Sequence, residues 1–122
     1  MELILPTDEQ NASSDWVDAG RAAELLEGSI RRVVLDGRRI ALYCTVSGVF
    51  ASDDSCPHRG GPLSEGVLIG NEVVCPWHLW SFDLRTGLTE TVPDLSMQLH
   101  EVKIQDDTLL VRLARISHRP LS

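Results

Sequence analysis

Two short segments, Cys56-Pro57-His58-Arg59-Gly60-Gly61-Pro62 and Cys75-Pro76-Trp77-His78, determine how this chain is organised. Each segment, here called the first and the second ligand loop, offers one thiol and one imidazole. Two sulfur and two nitrogen donors on a matched pair of loops suit a soft-to-borderline metal centre. Because only one or two residues separate the donors inside each loop, one tight turn must present both, and the prolines stiffen that turn by fixing φ. The pattern therefore predicts a metal centre between the two loops.

The double motif resembles the cluster-binding segments of the Rieske [2Fe–2S] proteins, in which two cysteines bind one iron and two histidines bind the other. The segments CPHRGGPLSEG (56–66) and CPWHLWSFDLRTG (75–87) are similar to small bacterial Rieske ferredoxins and to the small subunit of NADH-dependent nitrite reductase. Weaker similarity covers roughly residues 15–113. The resemblance implies one Rieske-type [2Fe–2S] cluster with two Cys and two His ligands, namely Cys56 and Cys75 on one iron and His58 and His78 on the other.

Two other interpretations of these donors remain open from the residues alone. A structural zinc site also uses two cysteines and two histidines, but zinc ligands are commonly spaced as C-x2-4-C and H-x3-5-H, whereas each loop here mixes the two residue types. A disulfide between Cys56 and Cys75 would leave the histidines without a role, and no feature marks the chain as secreted.

The composition limits the class of protein and of partner. With 122 residues the chain fits one domain. Acidic residues outnumber basic ones by 18 to 11, and the net charge of −7 disfavours nucleic acid and anionic membranes but suits a redox partner with a basic patch. The first apolar segment, Leu3-Ile4-Leu5, is too short for a signal peptide or a membrane span. Three cysteines and the lack of an export signal together predict a cytoplasmic protein.

Strand patterns occupy most of the chain outside the two loops. Asp36-Gly37, Gly70-Asn71 and Asp106-Asp107 each separate two apolar segments, and such pairs predict tight hairpin turns. The hairpin around Gly70-Asn71 joins the two ligand loops and is expected to bring them together at one tip. Trp16 is expected to begin the first strand, and good helix formers over 21–27 predict one or two helical turns.

The third cysteine, Cys44, lies in a predicted strand over 38–46. Ile40, Leu42, Cys44 and Val46 share one parity, so these four side chains are expected to face the core. Cys44 is therefore predicted to be a buried thiol that packs as a small hydrophobic residue rather than a further metal ligand.

These elements predict an all-β domain, a small antiparallel sandwich or partial barrel of the Rieske type with a cluster-binding subdomain and one short helix. The strand alternation alone supports the all-β class, and the resemblance implies the topology. Residues 1–13 are predicted to form a flexible N-terminal arm, 14–114 a single Rieske [2Fe–2S] domain and 115–122 a C-terminal tail. The cluster-binding loops are expected at about 55–63 and 74–82.

The resemblance implies a soluble one-electron carrier that passes electrons from a flavin-containing reductase to a terminal oxygenase or another oxidoreductase. One alternative is a tightly bound small subunit of a nitrite reductase-type enzyme, and another is a structural zinc-binding module. No Gly-rich nucleotide fingerprint follows a strand, and only His100 and His118 remain for a mononuclear iron site that needs two histidines and a carboxylate. The chain is therefore predicted to be the electron-transfer component of a multicomponent oxidoreductase, without catalysis of its own.

Residues around the second ligand loop bear on the reduction potential. In high-potential relatives a Ser and a Tyr, two and four residues after the second His, donate to sulfur, and Trp80 and Phe82 stand there in this chain. Those relatives also carry a disulfide between the loops, at positions that match Gly61 and Trp77. Since these features are absent, the resemblance predicts a midpoint near the low end of the family range, about −150 mV.

Apolar side chains of the second loop are expected to protect the cluster. Trp77, Trp80 and Phe82 are predicted to wall it from water. Leu79 stands where many relatives have a glycine, and its Cβ restricts the backbone there. We expect Leu79 to shield one side of the cluster.

Overall fold

The computed structural model describes residues 15–57, 60–77, 79–92 and 95–115. Strands form about half of this part of the chain, and their bounds are β1 (Trp16–Arg21), β2 (Ile30–Leu35), β3 (Arg38–Thr45), β4 (Gly48–Asp53), β5 (Val67–Ile69), β6 (Glu72–Val74), β7 (Ser81–Asp83), β8 (Leu99–Gln105) and β9 (Thr108–Arg112). Single turns of 3-10 helix occur at Ala22–Glu24 and Leu63–Glu65. Within these ranges no helix is long and apolar enough to cross a membrane. The predicted N-terminal arm and nearly all of the predicted tail lie outside the described residues.

The strands build two antiparallel sheets. The larger sheet has six strands in the order β1-β9-β8-β4-β3-β2, and its edge strands β1 and β2 approach each other, so that it forms a nearly closed barrel. The smaller sheet has three strands in the order β5-β6-β7. The first ligand loop precedes β5, and the second connects β6 to β7. This arrangement confirms the predicted all-β fold with a partial barrel and a separate cluster-binding subdomain.

Strand β3 lies between two hydrophobic cores and is buried on both faces. Ile40 and Leu42 are completely buried inside the barrel, as their parity predicts. Ala41 and Tyr43 point to the opposite face and are equally buried, because they pack against the small sheet. Val46 was expected in the core but is 77% exposed, since β3 ends one residue earlier and a turn begins there.

The hairpin turns have the backbone conformations that their residues favour. Asp36 and Gly37 have φ values of 51° and 79°, and two positive values in succession are what a type I′ turn requires. Asp106 and Asp107 adopt the same combination, 53° and 67°, between β8 and β9. The predicted helix over 21–27 is shorter than expected, a single 3-10 turn, because the chain must reach the start of β2 within a few residues.

A group of hydrogen bonds attaches the small sheet to the barrel. Asn71, in the turn between β5 and β6, accepts a hydrogen bond from Thr45 Oγ1 at 2.6 Å and donates from Nδ2 to Ser47 Oγ at 3.0 Å. Its backbone carbonyl accepts the Leu84 N–H at 2.8 Å. The β5–β6 hairpin is thus anchored at its turn, and the two ligand loops lie at its other end.

Candidate metal centre

Cys56 and Cys75 meet where the two ligand loops join the small sheet. Cys56 follows β4, whereas Cys75 comes directly after β6. The two residues are 2% and 1% exposed, they pack in one apolar cluster, and no disulfide joins them. Thiolate sulfur is a preferred donor for soft metal centres, including the iron of iron–sulfur clusters. Two neighbouring thiols that are buried together without a disulfide therefore fit an iron–sulfur centre.

The surroundings of Cys75 oppose ionisation of its free thiol. Burial raises the pKa of Cys75 to about 11. The backbone N–H of Trp77 donates to Cys75 Sγ and offsets part of this rise in pKa, whereas the neighbouring Cys56 adds to it. The metal-free thiol is therefore protonated at neutral pH, and binding of a metal by this sulfur must release a proton.

The two candidate imidazole ligands, His58 and His78, lie outside the described residues. Their assignment stays a prediction that rests on the spacing within each loop. The structure does bring together the two cysteines that the sequence analysis paired with them.

A buried carboxylate holds the two ends of the first ligand loop. The side chain of Asp54 is completely buried and accepts three hydrogen bonds, from the Ser64 N–H and hydroxyl at 2.7 Å each and from Arg32 Nε at 2.8 Å. Burial by itself would raise the pKa of Asp54, but the Ser64 and Arg32 contacts outweigh it and lower the pKa below its usual value. Residues 54 and 64 are therefore fixed to each other and to strand β2.

Between these ends the first loop closes on itself in a tight turn. The Gly60 N–H donates to the Cys56 carbonyl at 2.6 Å, and the Cys56 N–H donates to the Gly61 carbonyl at 2.7 Å. Gly60 has a φ of +79°, a conformation that a residue without Cβ adopts at little cost. The turn predicted for this loop is thus present in its described part.

The second ligand loop is held mainly by backbone hydrogen bonds. The Cys75 N–H donates to the Trp80 carbonyl at 2.8 Å, and the Leu79 N–H donates to the Cys75 carbonyl at 3.1 Å. Leu79 has a φ of +61°, in the left-handed region that disfavours residues with a Cβ. Its side chain is 73% exposed and covers little of the protein, so shielding of the cluster by Leu79 stays a prediction.

The three aromatic residues of this region have different environments. Phe82 is completely buried in the apolar cluster that contains both cysteines, and Trp80 is half-buried against the same cluster. Trp77 is 50% exposed, and its role in walling the cluster from water stays a prediction.

Cys44 and His100 lie apart from the cysteine pair. Cys44 is half-buried and packs against the core inside the barrel rather than against the cluster of Cys56. The side chain of His100 is completely buried, with Nε2 2.8 Å from Asp53 Oδ1 and with Nδ1 accepting the Ala114 N–H at 2.9 Å. Because Nδ1 is an acceptor, the proton of the neutral ring lies on Nε2. The packed histidine predicted at this position is thus confirmed.

Sequence reasoning missed two buried groups near the cysteines. Tyr43 packs in their cluster, its hydroxyl lies 2.7 Å from Ser52 Oγ, and burial raises its pKa above the usual value. The second apolar parity of β3 was a signal that could have identified Tyr43. Asp54 had no such signal, because its partner Arg32 is 22 residues away and nothing in the sequence pairs them.

Comparison with known proteins gives consistent matches. The family model of the Rieske [2Fe-2S] domain matches residues 15–110. The ferredoxin component of the naphthalene 1,2-dioxygenase system of Pseudomonas putida is 31% identical over 100 residues, which is 81% of this chain and 96% of that protein. The ferredoxin component of the p-cumate 2,3-dioxygenase system, also from Pseudomonas putida, is 43% identical over 82 residues, 66% of this chain and 70% of the relative.

The chain is also similar to part of a solved complex between an oxygenase and a ferredoxin. A chain in the complex of reduced oxygenase and oxidised ferredoxin of carbazole 1,9a-dioxygenase is 29% identical, with a TM-score of 0.70. The alignment covers 77% of this chain and 98% of that chain.

Proposed function

Since this chain belongs to the Rieske [2Fe–2S] domain family, whose cofactor is an iron–sulfur cluster, we propose that it is a one-electron carrier between two redox proteins. The observation that supports this most directly is the pair of buried thiols of Cys56 and Cys75, which lie side by side without a disulfide where the two loops meet. The family match favours iron and sulfide over the structural zinc module considered from the residues alone.

We propose that four residues bind the cluster: Cys56, His58, Cys75 and His78. When bound, the cluster takes up and releases a single electron at a time. Leu63, Val73 and Phe82 are completely buried beside the cysteines and exclude water from the sulfur side of the site. The Trp77 N–H donates to Cys75 Sγ and favours the negatively charged form of that sulfur.

The partners follow from the chemistry and from the relatives. One electron must come from a donor and leave to an acceptor, and the ferredoxin components named above belong to dioxygenase systems. We therefore propose a flavin-containing reductase as the donor and a terminal oxygenase as the acceptor. The half-exposed Trp77 and the exposed Leu79 offer apolar contacts at the tip, and the chain's net charge of −7 suits a partner with basic residues around its docking site.

The tightly bound nitrite reductase-type subunit remains the alternative. The described residues contain no feature that favours it over a free carrier. Purification of the untagged protein with its natural partners from its source would separate the two, because a subunit elutes with the large enzyme at high salt and a carrier does not. The proposed cytoplasmic location and the proposed absence of catalysis by this chain alone stay predictions as well.

Iron and sulfide analysis of purified protein tests the cofactor. We expect two irons and two sulfides per chain, and a reduced-state EPR signal with the low average g value that mixed nitrogen and sulfur ligation gives. Stoichiometric zinc without iron, in protein made with ample iron, would refute the proposal.

Variants test the ligand set. His78→Ala is expected to abolish the cluster, because the loss of a ligand leaves an iron site open. Cys44→Ser and His100→Ala are the matched controls and should keep the visible spectrum, since both positions pack outside the cysteine cluster. Loss of the cluster in Cys44→Ser, with the spectrum retained in His78→Ala, would show that the ligand set is wrong.

A further inference from the structure

The ring of Trp77 lies directly on the backbone of Gly61, so that the second ligand loop touches the first. A Cβ placed on Gly61 would come within 2.8 Å of Cγ and Cδ2 of Trp77 and within 3.2 Å of Cε3. Carbon atoms do not approach that closely, so any side chain at residue 61 would have to displace the ring. Gly61 is itself buried, although it belongs to a loop at the tip of the molecule.

The same two residues each carry a backbone group bound to a ligand cysteine. The Gly61 carbonyl accepts the Cys56 N–H at 2.7 Å. The Trp77 N–H donates to Cys75 Sγ. The ring contact therefore joins the backbone unit that holds one cysteine to the backbone unit that holds the other.

We propose that the Trp77–Gly61 contact is a non-covalent bridge between the ligand loops, and that Trp77 is a positioning residue which keeps its own N–H aimed at Cys75 Sγ. The proposal deepens the proposed function and rests on Cys56 and Cys75 being cluster ligands. It explains why a large aromatic residue occupies a position where half of its surface is exposed. The exposed half is available to a partner, and the other half holds the loops together.

The bridge adds a contact between two loops whose other attachments differ. The first loop is attached to the barrel through Asp54, and the second is closed by its own hydrogen bonds to the Cys75 backbone. Without the indole, the Trp77 peptide would lose the packing that limits its rotation, and its N–H would spend less time on sulfur. A donor to sulfur stabilises the reduced, more negative cluster, so a loosened N–H lowers the midpoint potential.

A double-mutant cycle tests the contact from both sides. Trp77→Ala removes the ring, Gly61→Ala displaces it, and the double variant does both. Gly61 has an ordinary φ, so that alanine at this position is disfavoured by the ring and not by the backbone. We expect Trp77→Ala to speed cluster loss to an iron chelator about tenfold, the effect of losing roughly one aromatic contact. Gly61→Ala should speed it several-fold in the wild-type chain but leave it nearly unchanged in Trp77→Ala.

The conservative variant and the potential separate positioning from simple packing. Trp77→Phe keeps a ring over Gly61 and should restore both the slow cluster loss and the wild-type midpoint measured by protein-film voltammetry. Trp77→Ala and Gly61→Ala should both lower the midpoint. The bridge is refuted if the effects of the two single variants on the rate of cluster loss add up in the double variant. It is also refuted if the midpoint is unchanged in both single variants.

The cycle has a second readout that does not need the cluster. Chemical unfolding of the same four proteins in metal-free form should show the same non-additivity, because the ring contact is part of the fold. A wild-type protein without iron and sulfide would refute the proposed function while this unfolding cycle still tests the contact. A wild-type protein with its cluster but with additive unfolding effects would refute the bridge and leave the proposed function intact.

Discussion

The two ligand loops present equivalent donors but are stabilised by different interactions. The first loop is pinned at both ends by the buried carboxylate of Asp54, whose partners lie on strand β2 and beyond the loop. The second loop follows directly from β6, closes through backbone hydrogen bonds to Cys75, and contains a strained, exposed Leu79. The difference indicates that the first loop depends on tertiary electrostatics, whereas the second depends on its local backbone.

Among these predictions, Asp54→Asn should cause the largest loss of stability, because it removes the interactions that hold the first loop. An amide keeps the size of the carboxylate but cannot accept from both Ser64 groups and from Arg32, so two hydrogen bonds to a charge are lost. We expect the free energy of unfolding to fall by about 3 kcal/mol, because each such bond contributes about 1.5 kcal/mol or more. Chemical unfolding measures the loss, and cluster release to a chelator should accelerate with it.

Glu101→Gln is the matched control for Asp54→Asn. Glu101 forms an ion pair with Arg112 on the barrel surface, where both side chains are largely exposed. Such pairs contribute about 0–1 kcal/mol, so the control should change the free energy of unfolding little. Equal effects of the two substitutions would show that Asp54 does not hold the first loop.

Acid should destabilise the barrel through a second buried group, His100. His100 donates to Asp53, the residue before Asp54, and burial lowers the pKa of His100 more than Asp53 raises it. The unfolded chain therefore binds a proton more readily than the folded one, and stability falls as the pH drops below 6.5, the usual histidine value. Protonation would also remove the acceptor for the Ala114 N–H.

Unfolding midpoints at pH 5.5 and 7.5 measure this dependence. The wild-type protein should be less stable at pH 5.5, and His100→Gln should reduce the difference between the two values. The change should be smaller than that of Asp54→Asn, because one neutral hydrogen bond is affected. A difference that is unchanged in His100→Gln would assign the pH dependence to other groups.

The sequence predicted most of the fold because local chemistry determines it. Positive-φ residue pairs set the hairpins at Asp36-Gly37 and Asp106-Asp107, and parity placed Ile40 and Leu42 in the barrel core. The double motif identified the two cysteines as candidate metal ligands, because few other kinds of site place one Cys and one His in each of two short loops. Each of these features can be recognised within a few neighbouring residues.

The interactions that position the site could not be predicted in the same way. The bond between Arg32 and Asp54 and the contact between Gly61 and Trp77 join residues that are far apart in the chain. The order of strands β2, β3 and β4 in the barrel makes Arg32 and Asp54 neighbours, and the β5–β6 hairpin does the same for Gly61 and Trp77. The burial of Tyr43, in contrast, had a local signal, because Ala41 and Tyr43 share the second parity of strand β3.

A side-chain donor added to the second loop would sharpen the contrast between local and tertiary control. Phe82 is completely buried in the cysteine cluster, and a hydroxyl in its place could donate to sulfur. Phe82→Tyr should raise the midpoint by about 40 mV, since a hydrogen bond of about 1 kcal/mol corresponds to that shift for one electron. The wild-type midpoint is expected near −150 mV.

Protein-film voltammetry at neutral pH measures both values. Phe50→Tyr is the matched control, because Phe50 packs against the same core from strand β4 and should leave the midpoint unchanged. A wild-type midpoint above about +100 mV would indicate a further hydrogen-bond donor to sulfur, beyond those found among the described residues. No shift in Phe82→Tyr would place the ring away from the sulfur atoms.

Leu79→Gly should have the smallest effect and the opposite sign. The left-handed backbone at Leu79 costs a residue with a Cβ about 1–2 kcal/mol, and glycine relieves this but adds about 0.5–1 kcal/mol of chain entropy to the unfolded state. The free energy of unfolding should therefore rise by about 0.5 kcal/mol. Leu26→Gly is the matched control, because Leu26 is 68% exposed but has no positive φ, and it should lose stability.

Chelator bleaching of Leu79→Gly tests the shielding predicted for Leu79. Faster bleaching in a more stable protein would mean that the Leu79 side chain protects the cluster, and an unchanged rate would contradict that role. A loss of stability like that of Leu26→Gly would show that the second loop is not strained at this residue, and that its backbone is as well matched to its sequence as the first loop's.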